Sequence, residues 1–82
     1  MEAFILINTK SGWLWKVAHK IEKIKGVKIV RAVTGQFDVA AYIELERNED
    51  LVNVIERLQS INGIVKTETL IAMPTSSYAL SS

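Results

Sequence analysis

Apolar residues fall along this chain in short runs and periodic stripes, and the spacing marks out six elements. Phe4 to Ile7 is an apolar run between a charged start and the polar pair Asn8-Thr9, which predicts a buried strand. Ser11-Gly12 reads as a loop with a candidate helix cap. Leu14, Val17, Ala18, Ile21 and Ile24 then recur at helical spacing, with Lys16, Lys20, Glu22 and Lys23 on the other side. Gly26 ends that helix. Val27 to Thr34 and Phe37 to Glu46 are rich in β-branched and aromatic residues. Gly35-Gln36 between them predicts a two-residue hairpin of the II′ type. Asn48 is expected to cap a second helix, with Glu49 and Asp50 at its positive end. Leu51, Val54, Ile55, Leu58 and Ile61 form its buried face. Gly63 stops it, Ile64 to Met73 is the last strand, and Pro74 closes that strand. Residues 75–82 read as a short tail, loose or docked on a neighbour through Tyr78 and Leu80.

The two helical stripes are copies of each other. Adding 37 to positions 14, 17, 18, 21 and 24 gives 51, 54, 55, 58 and 61, all apolar. The same shift carries Ile24-Lys25-Gly26-Val27 onto Ile61-Asn62-Gly63-Ile64. Two βαβ halves joined by a hairpin predict an α+β fold: a ferredoxin-like βαββαβ, four antiparallel strands with both helices on one face. The helix-free face should then be polar. Instead Phe4 and Leu6 on strand one, and Ala40 and Tyr42 on strand three, leave that face apolar. A sheet apolar on both sides needs a second sheet, so a dimer packed sheet to sheet is expected.

Size strengthens the expectation of association. A chain of 82 residues is one domain, read here as residues 1–74 plus the tail. It buries only about 60% of its unfolded surface. Apolar residues make up 49% of it, and no cysteine is present to staple it. The net charge of +1 gives no footprint for nucleic acid or anionic lipid. No run approaches the roughly 18 apolar residues of a membrane span, and the start lacks a basic signal-peptide region. A cytoplasmic location is expected.

Candidate chemistry is sparse. His19, the single histidine, sits off the apolar stripe and lacks the positioned partner a general base requires. Nothing supports a zinc site, a phosphate loop or a nucleophile elbow. Glu44, Glu46, Glu49 and Asp50 read as a solvated loop with helix-terminal roles rather than a metal site. Trp13 and Trp15 flank Leu14 and cannot both face the core; packing at a subunit interface is the favoured role. Lys16, Lys20, Lys23, Lys25, Lys28 and Arg31 read as ordinary solvated charge. The informative cluster is Thr34-Gly35-Gln36-Phe37-Asp38 with Thr67 and Thr69. A free amino acid offers an adjacent ammonium and carboxylate. A glycine turn presents backbone N–H groups to the carboxylate, and Asp38 can accept from the ammonium. Thr67 and Thr69 point the same way along a strand, so their hydroxyls can bridge ligand or water. The plain alternative is that the turn is only a turn, with Asp38 capping it.

The strand Ala3-Phe4-Ile5-Leu6-Ile7-Asn8, the two I-x-G-[VI] segments, Val33-Thr34-Gly35-Gln36-Phe37-Asp38 and Lys66-Thr67-Glu68-Thr69-Leu70-Ile71 resemble one family in order and spacing. It is the C-terminal effector domain of the leucine-responsive regulatory (Lrp/AsnC) proteins, the regulation-of-amino-acid-metabolism domain. The resemblance covers residues 2–73. It implies dimers paired through their sheets, further assembly, often to octamers, and a free amino acid held between dimers. It places Gly35, Gln36, Phe37 and Asp38 on one side of that ligand, and Thr67 and Thr69 of a neighbour on the other. No cofactor and no catalysis are implied. Full-length members carry a helix-turn-helix domain before this one, and here strand one begins almost at Met1. The resemblance therefore implies a detached sensor, expected not to bind DNA itself, that acts by co-assembling with full-length regulators or by buffering the ligand. Two other readings stand beside this one: a small ferredoxin-like dimeric monooxygenase or isomerase, and a ligand-free assembly adaptor.

Overall fold

The computed structural model describes residues 1–74. Its elements are β1 (Glu2–Thr9), α1 (Leu14–Glu22), β2 (Val27–Ala32), β3 (Val39–Glu44), α2 (Asn48–Gln59) and β4 (Ile64–Ile71). The four strands form one antiparallel sheet in the order β2-β3-β1-β4. This is the predicted ferredoxin-like arrangement.

Alternation along the central strands sorts the sheet into two faces. Ala3, Ile5 and Ile7 of β1, with Val39, Ala41 and Ile43 of β3, are buried under the helices. Val17, Ala18, Ile21 and Ile24 meet them from α1, and Val54 and Leu58 from α2. Burying each large aliphatic side chain contributes about 1.5–3 kcal/mol. The open face carries a row across all four strands: Ile29, Tyr42, Phe4 and Leu70. The Phe4 and Tyr42 rings lie 5.2 Å apart, while Phe4, Ile29 and Leu70 are each more than two-fifths exposed. Leu6 and Ala40 pair in the next row. The open face is apolar along its centre, as the strand pattern predicts, with Arg31, Glu68, Glu2 and Glu44 in the flanking rows.

Each half is latched to the other by a glycine at the end of a helix. Glu44 N–H donates to the Gly26 carbonyl and Lys10 N–H to the Gly63 carbonyl. Leu45 covers Gly26, and the Trp13 ring covers Gly63. Gly63 has φ +99°, and a Cβ there would stand 2.7 Å from Trp13 Cε3. Trp13 thus packs within its own subunit, with Lys16 Nζ 5.2 Å over its ring, and not in the interface role expected for the tryptophans. Trp15 is 64% exposed.

Three local expectations need correction. The β2–β3 connection spans residues 33–38, not two residues, and β3 begins at Val39. Phe37 therefore lies in a loop. Asn48 is the first residue of α2 rather than its cap; Arg47 occupies the cap position, extended at φ −133°, with no side-chain cap hydrogen bond. Ser11 does not cap α1 either, whose cap position is Trp13. The tail expectation concerns residues 75–82, which lie outside the described residues.

Candidate functional site

The 33–38 loop is positioned by the end of β1, where the ladder shifts register at Asn8/Thr9. Val33 N–H donates to the Asp38 carbonyl at 2.9 Å, closing the loop, and Asp38 N–H donates to Ile7 O at 2.9 Å. Asn8 Nδ2 donates to Gln36 O at 2.8 Å. Asp38 Oδ2 accepts from Thr9 N–H at 2.8 Å and lies 3.4 Å from Thr9 Oγ1. Asp38 therefore has a structural duty: it ties the loop to β1 with one carboxylate oxygen. Its Oδ1 has no partner among the described residues.

The loop crest faces solvent. Thr34, Gly35 and Gln36 are exposed, while Phe37 and Asp38 are half-buried. Gly35 has φ +126°, with nothing within 4 Å of where a Cβ would stand. Among the described residues, the N–H groups of Thr34, Gly35, Gln36 and Phe37 make no hydrogen bond. Successive free N–H groups around a positive-φ glycine suit an anionic oxygen.

Thr67 and Thr69 pair with Ile7 and Ile5 across β1 and share a face, as the alternation predicts. Thr67 is exposed at the edge strand, and Thr69 is half-buried. Thr67 lines a cleft of about 220 Å³ between α2 and β4, with Gln59, Ile61 and Ile64. The two candidate groups do not meet within one chain. The loop lies on the β3 side of β1 and Thr67 on the β4 side, two strand spacings of about 4.8 Å apart. By alternation, Asp38 and the threonines also belong to opposite faces.

Sequence reading misses Asn8 and Thr9, which hold the loop. A polar pair closing an apolar strand is the available signal. It also misses the α2/β4 cleft, which needs a helix and a strand in register. On the open face, Tyr42 Oη lies 2.8 Å from Glu2 Oε2 and 3.0 Å from Glu44 Oε1. The hydrogen bond to Glu2, then lost hydration, then Glu44 keep its hydroxyl protonated well above the usual phenol range. His19 is exposed, with Glu22 3.8 Å away. Among the described residues no group of three His, Cys, Asp or Glu side chains could hold a metal ion. No described helix is long and apolar enough to cross a membrane.

The family model of the Lrp/AsnC ligand binding domain matches residues 2–79. This chain belongs to that family. An HTH-type transcriptional regulator, FL11 of Pyrococcus furiosus, is 35% identical over 71 residues, covering 87% of this chain and 47% of the relative. The chain spans about half the length of the curated regulators it matches. Among solved structures, TTHA0845 of Thermus thermophilus is 30% identical with a TM-score of 0.87, covering 92% of this chain and 95% of its own. The transcriptional regulator NMB0573 of Neisseria meningitidis, solved as an L-Met complex, shares the fold: TM-score 0.77, 18% identity, 89% of this chain and 49% of its own. The Lrp/AsnC domain is thus a ligand-binding regulatory unit in its relatives.

Proposed function

We propose that this chain is an Lrp/AsnC effector module that binds a free, hydrophobic amino acid between dimers and catalyses no reaction. The observation that carries the reading is the 33–38 loop, whose consecutive N–H groups and neighbouring Asp38 Oδ1 have no partner among the described residues. The N–H groups of Thr34 to Phe37 would hold the carboxylate, and Asp38 Oδ1 would accept from the ammonium. Thr67 and Thr69 would come from a neighbouring copy, because one chain keeps them on the far side of β1 from the loop. The L-Met complex of the Neisseria relative supports an apolar amino acid as effector. In this reading the open sheet faces pair into dimers, dimers assemble to an octamer in the cytoplasm, and the module co-assembles with full-length Lrp/AsnC regulators without touching DNA.

A ligand selective for the native state stabilises it by about 2.7 kcal/mol at a hundredfold excess over Kd. For a domain this size that raises Tm by about 10 °C or more. A thermal-shift screen of the standard amino acids at millimolar concentration should show such a rise for an aliphatic or thioether member. A flat screen refutes the sensing role.

A further inference from the structure

The internal repeat extends beyond the core to the outer surface of the helices. Shifting by 37 superposes Trp15, 64% exposed, on Val52, 55% exposed. It also carries the cleft beside α1, lined by Glu22, Val27, Lys28 and Ile29, onto Gln59, Ile64, Val65 and Lys66 beside α2. The halves therefore present two geometrically equivalent helix flanks, each with an exposed apolar residue at the same place.

Their charges are opposite. Leu14 to Lys23 carries Lys16, Lys20 and Lys23 against Glu22, a net +2. Asn48 to Gln59 carries Glu49, Asp50 and Glu56 against Arg57, a net −2. These side chains are exposed except for half-buried Asp50. Because β1 and β3 are antiparallel, the helices that follow them are antiparallel too. A two-fold axis along the helices lays α1 of one copy on α2 of another and, in the same step, α2 on α1. A two-fold axis across them lays α1 on α1 and sets lysines against lysines, which like-charge repulsion disfavours.

We propose that the helix layer is a second contact surface, occupied by the helix layer of another copy of this chain. In it α1 packs on α2 of the partner copy, with Trp15 and Val52 as apolar footings and opposite charges around them. The contact is self-complementary and closes on itself. It is distinct from the open sheet face and does not need an amino acid bound at the 33–38 loop.

The test uses ligand-free protein in sedimentation velocity at low salt. Trp15→Ala should weaken helix-layer association about 30-fold, the scale of an interface anchor. The charge pair Lys20→Glu/Lys23→Glu makes both helices acidic, and Glu56→Lys/Gln59→Lys makes both basic. Each variant alone should associate at least about tenfold more weakly than wild type. Mixed, they should re-form the wild-type species as a heteromer, since acidic α1 then meets basic α2. Wild-type association in either variant alone, or a mixture that stays apart, overturns the proposal. A wild-type chain that never exceeds a dimer at high concentration, with that dimer left intact by Trp15→Ala and dissociated by Phe4→Lys on the open sheet, overturns it too.

Discussion

Replacing Gly63 by alanine puts a methyl group where the Trp13 ring lies. Two costs add. Holding a side chain at φ +99° costs about 1–3 kcal/mol. The new Cβ would also stand 2.7 Å from Trp13 Cε3 and 3.0 Å from Trp13 Cδ2 and Val17 Cγ2. Val17 is fully buried, so the ring cannot drop inward, and overpacking of this kind costs about 1–3 kcal/mol. The stiffer unfolded chain returns about 0.4–1 kcal/mol. The net loss is about 1–5 kcal/mol, a large share of a stability of about 5–15 kcal/mol. Gly35→Ala is the matched control: positive φ with open space around it, so only the backbone cost applies. The assay is urea unfolding at fixed protomer concentration, because self-association adds to apparent stability. Expected is a lower midpoint with unchanged slope. In a Trp13→Ala background the Gly63→Ala cost should fall toward that of Gly35→Ala, leaving only the Val17 contact, a coupling of about 1–3 kcal/mol. Equal losses for Gly63→Ala and Gly35→Ala in the native background would refute the account of Trp13 as a latch.

Asp38→Asn keeps an oxygen for Thr9 N–H but removes the charge. It should leave Tm within about 3 °C of native while weakening amino-acid binding at least about tenfold in calorimetry; unchanged affinity would remove Asp38 from the site. Absorbance titration should show the Tyr42 phenol ionising above its ordinary value of 10.0, with Glu2→Gln moving it back down. Since the folded state holds this proton more tightly, the contribution is complete below pH 10 and fades as pH rises through the elevated folded value. Phe4→Lys sets a charge in the middle of the apolar row and should dissociate the sheet-to-sheet dimer, read by light scattering.

The parts of this fold that burial dictates are legible in the chain. Leu14, Val17, Ala18 and Ile21, with Leu51, Val54 and Leu58, meet the core because a helix repeats its burial every 3.6 residues. Ile24 and Ile61 pack there from just beyond the helix ends, and Ile55 of the predicted stripe is only half-buried. The β2–β3 connection reads too short because Val33 and Phe37 have strand-like side chains. What ends the strands there is distant in sequence: Asn8 takes the Gln36 carbonyl, and Asp38 turns to the N–H of Thr9. Local propensity carries no trace of such partners. The same holds for Trp13, whose seat exists only because Gly63 arrives from the other half. The candidate loop is visible as a glycine turn followed by an acid. Its fixings, and its separation from Thr67, come from the order of strands.

That order has a consequence for how the molecule holds together. The three ladders are β2 with β3, β3 with β1, and β1 with β4. Each joins a strand of the first half to a strand of the second, and among the described residues neither half contains a strand pair of its own. The halves are interdigitated, and the 33–38 loop is the covalent strap between them. Cut at that loop, the fragments should be unstructured apart and fold on mixing. Left uncut, the strap would let two copies exchange halves while keeping every ladder, and a ligand held there as proposed would bear on whether each half stays with its own chain.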